Sequence, residues 1–167
     1  MNSRFIEIKW GVIFVIMSLV WMEVEKILGL HDKYLNMHQY ITMLFMIPAI
    51  WIYVAGLKEK KRKDYSGVMS YKQGFVSGLI ITIVVTLFSP LTQWIISEII
   101  TPDYFTNVIA YSLETGYHKS LAEAEAQFNL ENYIIQSTVG ALLMGIVTSA
   151  IVAFFVKTNR NNLNNNV

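Results

Sequence analysis

Residues Tyr133 to Val156 read YIIQSTVGALLMGIVTSAIVAFFV, an unbroken stretch with no charged side chain, and this stretch decides the fold class. About 20 predominantly apolar residues in a helix cross a hydrocarbon core of ~30 Å. Unpaired backbone N–H and C=O groups cannot be left in lipid, so a segment of this kind has to be helical. Further back along the chain the same type of window occurs three more times, so that the expected spans are residues 10–30, 40–57, 74–100 and 133–156. The sequence therefore predicts an all-α, polytopic membrane protein: one four-helix transmembrane domain over residues 1–157. The remainder, residues 158–167, is mostly asparagine, has nothing to bury and is expected to be a disordered tail.

Composition points the same way. Of 167 residues, 54% are hydrophobic and only 15% charged, and the mean hydropathy of +0.43 lies outside the usual soluble range. A net charge of +1 provides no chain-wide attraction to nucleic acid. The absence of cysteine rules out a disulfide framework, a thiol nucleophile and any Cys-ligated metal site. Arg4 and Lys9 precede the first apolar run, as in a secretory signal. That run outlasts a signal core and no small-x-small cleavage site follows it, so it reads as an uncleaved first helix.

Lysines and arginines set the orientation. Arg4, Lys9, Lys58, Lys60, Lys61, Arg62, Lys63, Lys72, Lys157 and Arg160 fall on one side of the predicted spans, and only Lys33 and Lys119 on the other. Both termini and the loop after span two are thus expected in the cytoplasm. The run Lys58, Lys60, Lys61, Arg62 and Lys63 lies at the inner end of that span, and each cation near an anionic leaflet contributes about 1 kcal/mol, so these residues are expected to contact anionic lipid headgroups.

The segment between spans three and four, residues 101–132, reads as a short extracytoplasmic helical hairpin. Thr101, Pro102 and Asp103 resemble an N-cap, a first-position proline and a first-turn acid, and Gly116 supplies a stop. Ser120 and Glu123 have capping-box spacing for a second helix.

Two small-residue stripes stand out. Gly74 and Gly78 open a face of span three that continues through Thr82, Thr86, Ser89 and Gln93; Ala141, Gly145, Ser149 and Ala153 form one on span four. Such faces let helix backbones approach closely, and close packing of spans three and four is the expectation. The alternative use of Thr82, Thr86, Ser89 and Gln93 is a polar pathway, joined by carboxylates near the outer end of span one, Glu23 and Glu25. Pro90, within that face, reads as a kink. Glu23 lies at the headgroups if the membrane segment runs over residues 5–22 and inside if it runs over residues 10–30. His31, Asp32 and His38 follow, and imidazole with carboxylate suits zinc-like ions. Their spacing matches no known linear metal signature, and HExxH, the P-loop and GxSxG are all absent. No metal, cofactor or catalytic residue is therefore expected from the sequence.

Several stretches together resemble one family: Glu25 to Asp32 (EKILGLHD), Phe45 to Ile50 (FMIPAI), Lys72 to Phe75 (KQGF), Ser77 to Leu79 (SGL), Ser89 to Leu91 (SPL), Thr101 to Phe105 (TPDYF), Glu123 to Ala126 (EAEA) and the run from Gly145 to Phe154. In order and spacing they are similar to the bacterial membrane proteins called domain of unknown function 4199. The resemblance implies a four-helix protein of the bacterial inner membrane and implies no activity. The expectation from sequence is a non-enzymatic structural, accessory or binding module, self-associating or docked on another membrane protein; the alternative is a small transporter or ligand-binding bundle built on the polar face of helix three.

Overall fold

The computed structural model describes residues 4–158, and among these every regular element is helical. In chain order they are α1 (Phe5–Ile27), α2 (Leu35–Thr42), a 3-10 turn (Met43–Phe45), α3 (Met46–Asp64), α4 (Tyr71–Ile95) continued by a π-turn (Ile96–Ile100), α5 (Tyr104–Glu114), α6 (Leu121–Gln127) and α7 (Leu130–Val156). The Asn-rich stretch from Asn159 onward lies outside the described residues.

Four helical segments are long and apolar enough to cross a membrane: Phe5–Ile27, Leu35–Asp64, Tyr71–Ile100 and Leu130–Val156, of 23, 30, 30 and 27 residues. At 1.5 Å per residue they reach about 35–45 Å, more than a ~30 Å hydrocarbon core requires. They also overrun the apolar windows of the sequence. Helical hydrogen bonding does not stop where hydrophobicity stops, so α3 continues through the basic run to Asp64 and α1 begins at Phe5. Large apolar side chains stand outward along these helices, Leu87 at 73% and Phe155 at 78% exposure among them. Outward apolar faces of this extent suit a lipid solvent. The chain fits a multi-pass membrane protein.

Contacts divide the chain into two compact units. The first takes in the residues up to Phe14, Ile47–Thr86 and those from Gly140 onward. Its core gathers Tyr53, Leu57, Met69, Ile81, Val85, Val152, Ala153 and Val156. Small residues set the helix spacing: a Cβ on Gly74 would stand 3.2 Å from Ala153 Cβ, one on Gly78 2.7 Å from Ser149 Cβ, and one on Gly145 2.6 Å from Thr82 Oγ1. Hydroxyls bond across the same contacts, with Thr82 Oγ1 2.9 Å from Tyr53 Oη and 3.3 Å from Ser149 Oγ. Ion pairs of Lys60 with Glu7 and of Glu59 with Lys9 join the start of α1 to the end of α3, and Lys60–Asp64 and Glu59–Lys63 extend them along α3.

The second unit comprises Val15–Met46 and Leu87–Val139. The N-cap of α5 is Asp103, two residues later than the sequence suggested. Thr101 instead closes the π-turn, because its N–H and its hydroxyl both donate to the Ile96 carbonyl. Gly116, with φ of +72°, ends α5, and the Ser120 hydroxyl caps α6 by accepting from Glu123 N–H. The Glu123 carboxylate bonds Lys119 N–H instead of the Ser120 N–H of a full capping box.

Candidate functional site

The second unit holds one cluster with ligand chemistry, built by the way α1 ends. Gly29 N–H bonds the Lys26 carbonyl and Leu30 N–H reaches back to the Glu25 carbonyl. These two bonds, with Gly29 at φ +73°, are a Schellman cap, which turns the chain back on the last turn of its helix. Tyr34 N–H closes the turn on the Gly29 carbonyl, and α2 then begins at Leu35. His31, just past the cap, and His38, one turn into α2, consequently arrive beside Glu25, although six and seven residues separate the three in sequence.

Their geometry converges on a single atom. His31 Nε2 lies 3.2 Å from Glu25 Oε2, and His38 Nε2 lies 3.3 Å from the same oxygen. One ligand atom from each of the three residues falls within 4.8 Å of the others. Glu25 is 1% exposed and His31 5%. Around this core, Trp21 Nε1 donates to the second carboxylate oxygen, Glu25 Oε1. Asn107 Nδ2 donates to the His31 carbonyl at 3.1 Å, fixing the turn to α5. The Tyr104 hydroxyl is 3.4 Å from His38 Nδ1, and its ring stands edge-on to both imidazoles. Burial, with Tyr133 and the Glu25 carboxylate nearby, pushes the Tyr104 phenol above its ordinary range, so it is a neutral hydroxyl under physiological conditions. His31 Nδ1 has no hydrogen-bond partner among the described residues.

Beside the cluster is an open groove of about 390 Å³ lined by His38, Gln39, Tyr104, Tyr111, Gln127 and Phe128, among others. It gives a small solute access to His38, the least buried of the three. Chemically, two imidazoles and a carboxylate form a donor set for a divalent transition metal, and Trp21, Asn107 and Tyr104 orient those donors from behind.

The remaining residues singled out in the sequence are placed as follows. Glu23 and Asp32 are exposed, with the Asp32 carboxylate accepting from Lys33 N–H. Thr82 and Ser149 are buried within the first unit and bonded there, while Thr86 Oγ1 has no partner among the described residues. Ser89 is buried and Gln93 donates to Ser97 Oγ. Ala141 packs against the core of the first unit. Of the basic run, Lys60 is not at a lipid-facing position: its side chain is fully buried on Glu7 and Asp64, because those two carboxylates offer it what headgroups would. Lys61 donates to the Val156 carbonyl and Lys63 pairs with Glu59, whereas Lys58 and Arg62 are exposed. His31 and His38 with a glutamate are candidates in the sequence by residue type, but no motif spacing marks the cap that assembles them. Tyr104, Asn107 and Trp21 have no signal in the sequence beyond their types.

No curated protein and no solved structure matches the chain. One family matches residues 9–158, nearly the whole chain, and its description is "Protein of unknown function (DUF4199)". With that match over a chain of four membrane-length helices, the protein belongs to the DUF4199 family.

Proposed function

We propose that the chain is a non-enzymatic binding module of the bacterial inner membrane, and that its ligand is a divalent transition-metal ion of the zinc class held by Glu25, His31 and His38. The observation that carries this reading is the pair of distances to one oxygen, 3.2 Å from His31 Nε2 and 3.3 Å from His38 Nε2 to Glu25 Oε2. In a tetrahedral site with metal–ligand bonds of about 2.0–2.1 Å, neighbouring ligand atoms stand about 3.3–3.4 Å apart. Two edges of such a site are therefore already at length. The third lies within 4.8 Å. Three protein ligands leave one position open to water or a further donor.

Orientation follows from the charge bias of the loops. With both termini and the basic run in the cytoplasm, the α1–α2 turn and the α5–α6 pair lie on the outer side, and the site meets ions from outside the cell membrane. The transporter alternative draws on the polar face of α4. Its support is weaker, since the Thr82 hydroxyl is taken up by Tyr53 and Ser149 and the Gln93 amide by Ser97.

The test is metal uptake by the full-length protein, purified in detergent, stripped with a chelator and titrated with Zn²⁺ by calorimetry. One equivalent is expected for the wild type and none for Glu25→Gln or His38→Ala. Replacement by Co²⁺ should give the intense visible absorption of a four-coordinate site. The proposal fails if the wild type takes up no stoichiometric ion, or if the His38→Ala protein binds as tightly as the wild type.

A further inference from the structure

The basic run also lines a groove. In the first unit, Trp10, Ala55, Lys58, Glu59 and Arg62 line an open groove of about 340 Å³. That volume is at the lower end of small-ligand sites, which run about 300–1,000 Å³. Lys58 and Arg62 are one helical turn apart on α3 and so share a face. Glu59, the single carboxylate in the groove, is already satisfied by Lys9, Lys63 and the Trp10 indole N–H. Two lysines thus answer one acid, and among the described residues neither Lys58 nor Arg62 has an anionic partner. The apolar stretch of α3 ends at Leu57, one residue before Lys58, which puts the groove at headgroup depth for a helix that crosses the bilayer. Trp10 lines the groove, and indole rings favour that layer.

We infer that this groove is a phosphate-recognition site for an anionic phospholipid headgroup, gripped by Lys58 and Arg62 against the Trp10 wall. Lys58 supplies a point charge and Arg62 a planar fork of N–H donors, the combination suited to phosphodiester oxygens. The other cations of the run do not take part. Lys60 and Lys63 are held by carboxylates and Lys61 by a backbone carbonyl. This site is independent of the Glu25, His31 and His38 cluster, and neither reading depends on the other.

The full-length protein, reconstituted in nanodiscs with equal amounts of phosphatidylglycerol and phosphatidylcholine and released into native mass spectrometry, reports which lipid it retains. The wild type is expected to carry phosphatidylglycerol in preference to phosphatidylcholine. Lys58→Gln and Arg62→Gln should each reduce that preference about fivefold and the double variant about 25-fold, as charge near a lipid surface dictates. Both positions are exposed, so thermal unfolding of the variants should match the wild type. Lys33→Gln with Lys119→Gln removes the same charge elsewhere and should leave retention unchanged. Equal retention by the double variant and the wild type overturns the site. Equal retention of phosphatidylglycerol and phosphatidylcholine by the wild type overturns the lipid as occupant.

Discussion

Lys60 Nζ lies 2.9 Å from Glu7 Oε1, and both side chains are closed to solvent, at 0% and 1% exposure. Asp64 sits 2.6 Å from the same ammonium, and the Ser77 hydroxyl donates to Glu7 at 3.2 Å. Removing one member of a buried pair leaves the other charge without a partner, at a cost of about 3–5 kcal/mol. Lys60→Met should lower unfolding free energy by that amount in a denaturant titration in detergent, and Glu7→Gln by less, because Asp64 still answers the Lys60 ammonium. Glu7→Leu combined with Lys60→Met replaces the pair by apolar groups of similar size and should recover most of the loss. A double variant as unstable as Lys60→Met alone would show that the damage comes from packing and not from stranded charge.

Gly145 and Gly140 lie on the same helix, α7, and make opposite predictions. A Cβ at Gly145 would stand 2.6 Å from Thr82 Oγ1 and 2.9 Å from Thr82 Cβ, so the helices must part to admit it. Overpacking of this kind costs about 1–3 kcal/mol. Around Gly140 nothing lies within 4 Å of such a Cβ, and alanine there gains helix propensity of about 0.5–1 kcal/mol. Thermal unfolding should therefore rank Gly140→Ala at or above the wild type and Gly145→Ala well below it. Equal melting temperatures for the two variants would mean that the α4–α7 contact does not hold the backbones as close as described.

The helical class and the four long apolar segments were legible because both follow from local composition: lipid leaves an apolar run no conformation but helix. Helix ends were less legible. The α5 N-cap was expected at Thr101 and falls at Asp103, since Thr101 closes a π-turn whose existence no residue type announces. Charge was readable as a count and not as a fate. Lys60 looks like its neighbours in the basic run until Glu7, far away in sequence, is folded against it. Glu25 and His31 were candidates on residue type alone. What joins them to His38 is the cap at Gly29, and a reversal of that sort is set by backbone hydrogen bonds, which a spacing rule for ligands on one helix face cannot detect.

The chain has no cysteine, which makes single-cysteine probing of the α4 polar face direct. Thr82 is fully buried with Gly145 and Ser149 packed on it. Thr82→Cys should therefore resist a membrane-impermeant thiol reagent added to either face, while the exposed Glu23→Cys should react from outside and the exposed Arg62→Cys only once the membrane is permeabilised. Rapid modification of Thr82→Cys would require water beside that hydroxyl and would revive the polar-pathway reading.

Gly29 ties backbone conformation to ligand geometry. At φ +73° an L side chain is strained, and an added Cβ would also come 3.2 Å from Asp32 Oδ1. Gly29→Ala should cost about 1 kcal/mol of stability, the difference between glycine and alanine in a left-handed cap. Its larger effect should fall on the cluster, because the Schellman bonds of Gly29 and Leu30 are what bring His31 onto Glu25. Zn²⁺ affinity should then drop about 10–100-fold, the range seen when the outer support of a metal ligand is lost. Asn107→Ala, which frees the His31 carbonyl without altering any donor atom, should weaken binding in the same range. Gly29→Asn is the informative companion, since asparagine accepts the left-handed conformation better than other side chains. Calorimetric titration of the three variants should place Gly29→Asn between the wild type and Gly29→Ala. Undiminished affinity in Gly29→Ala would detach the cap from the site and leave Glu25 and His38 as its only fixed points.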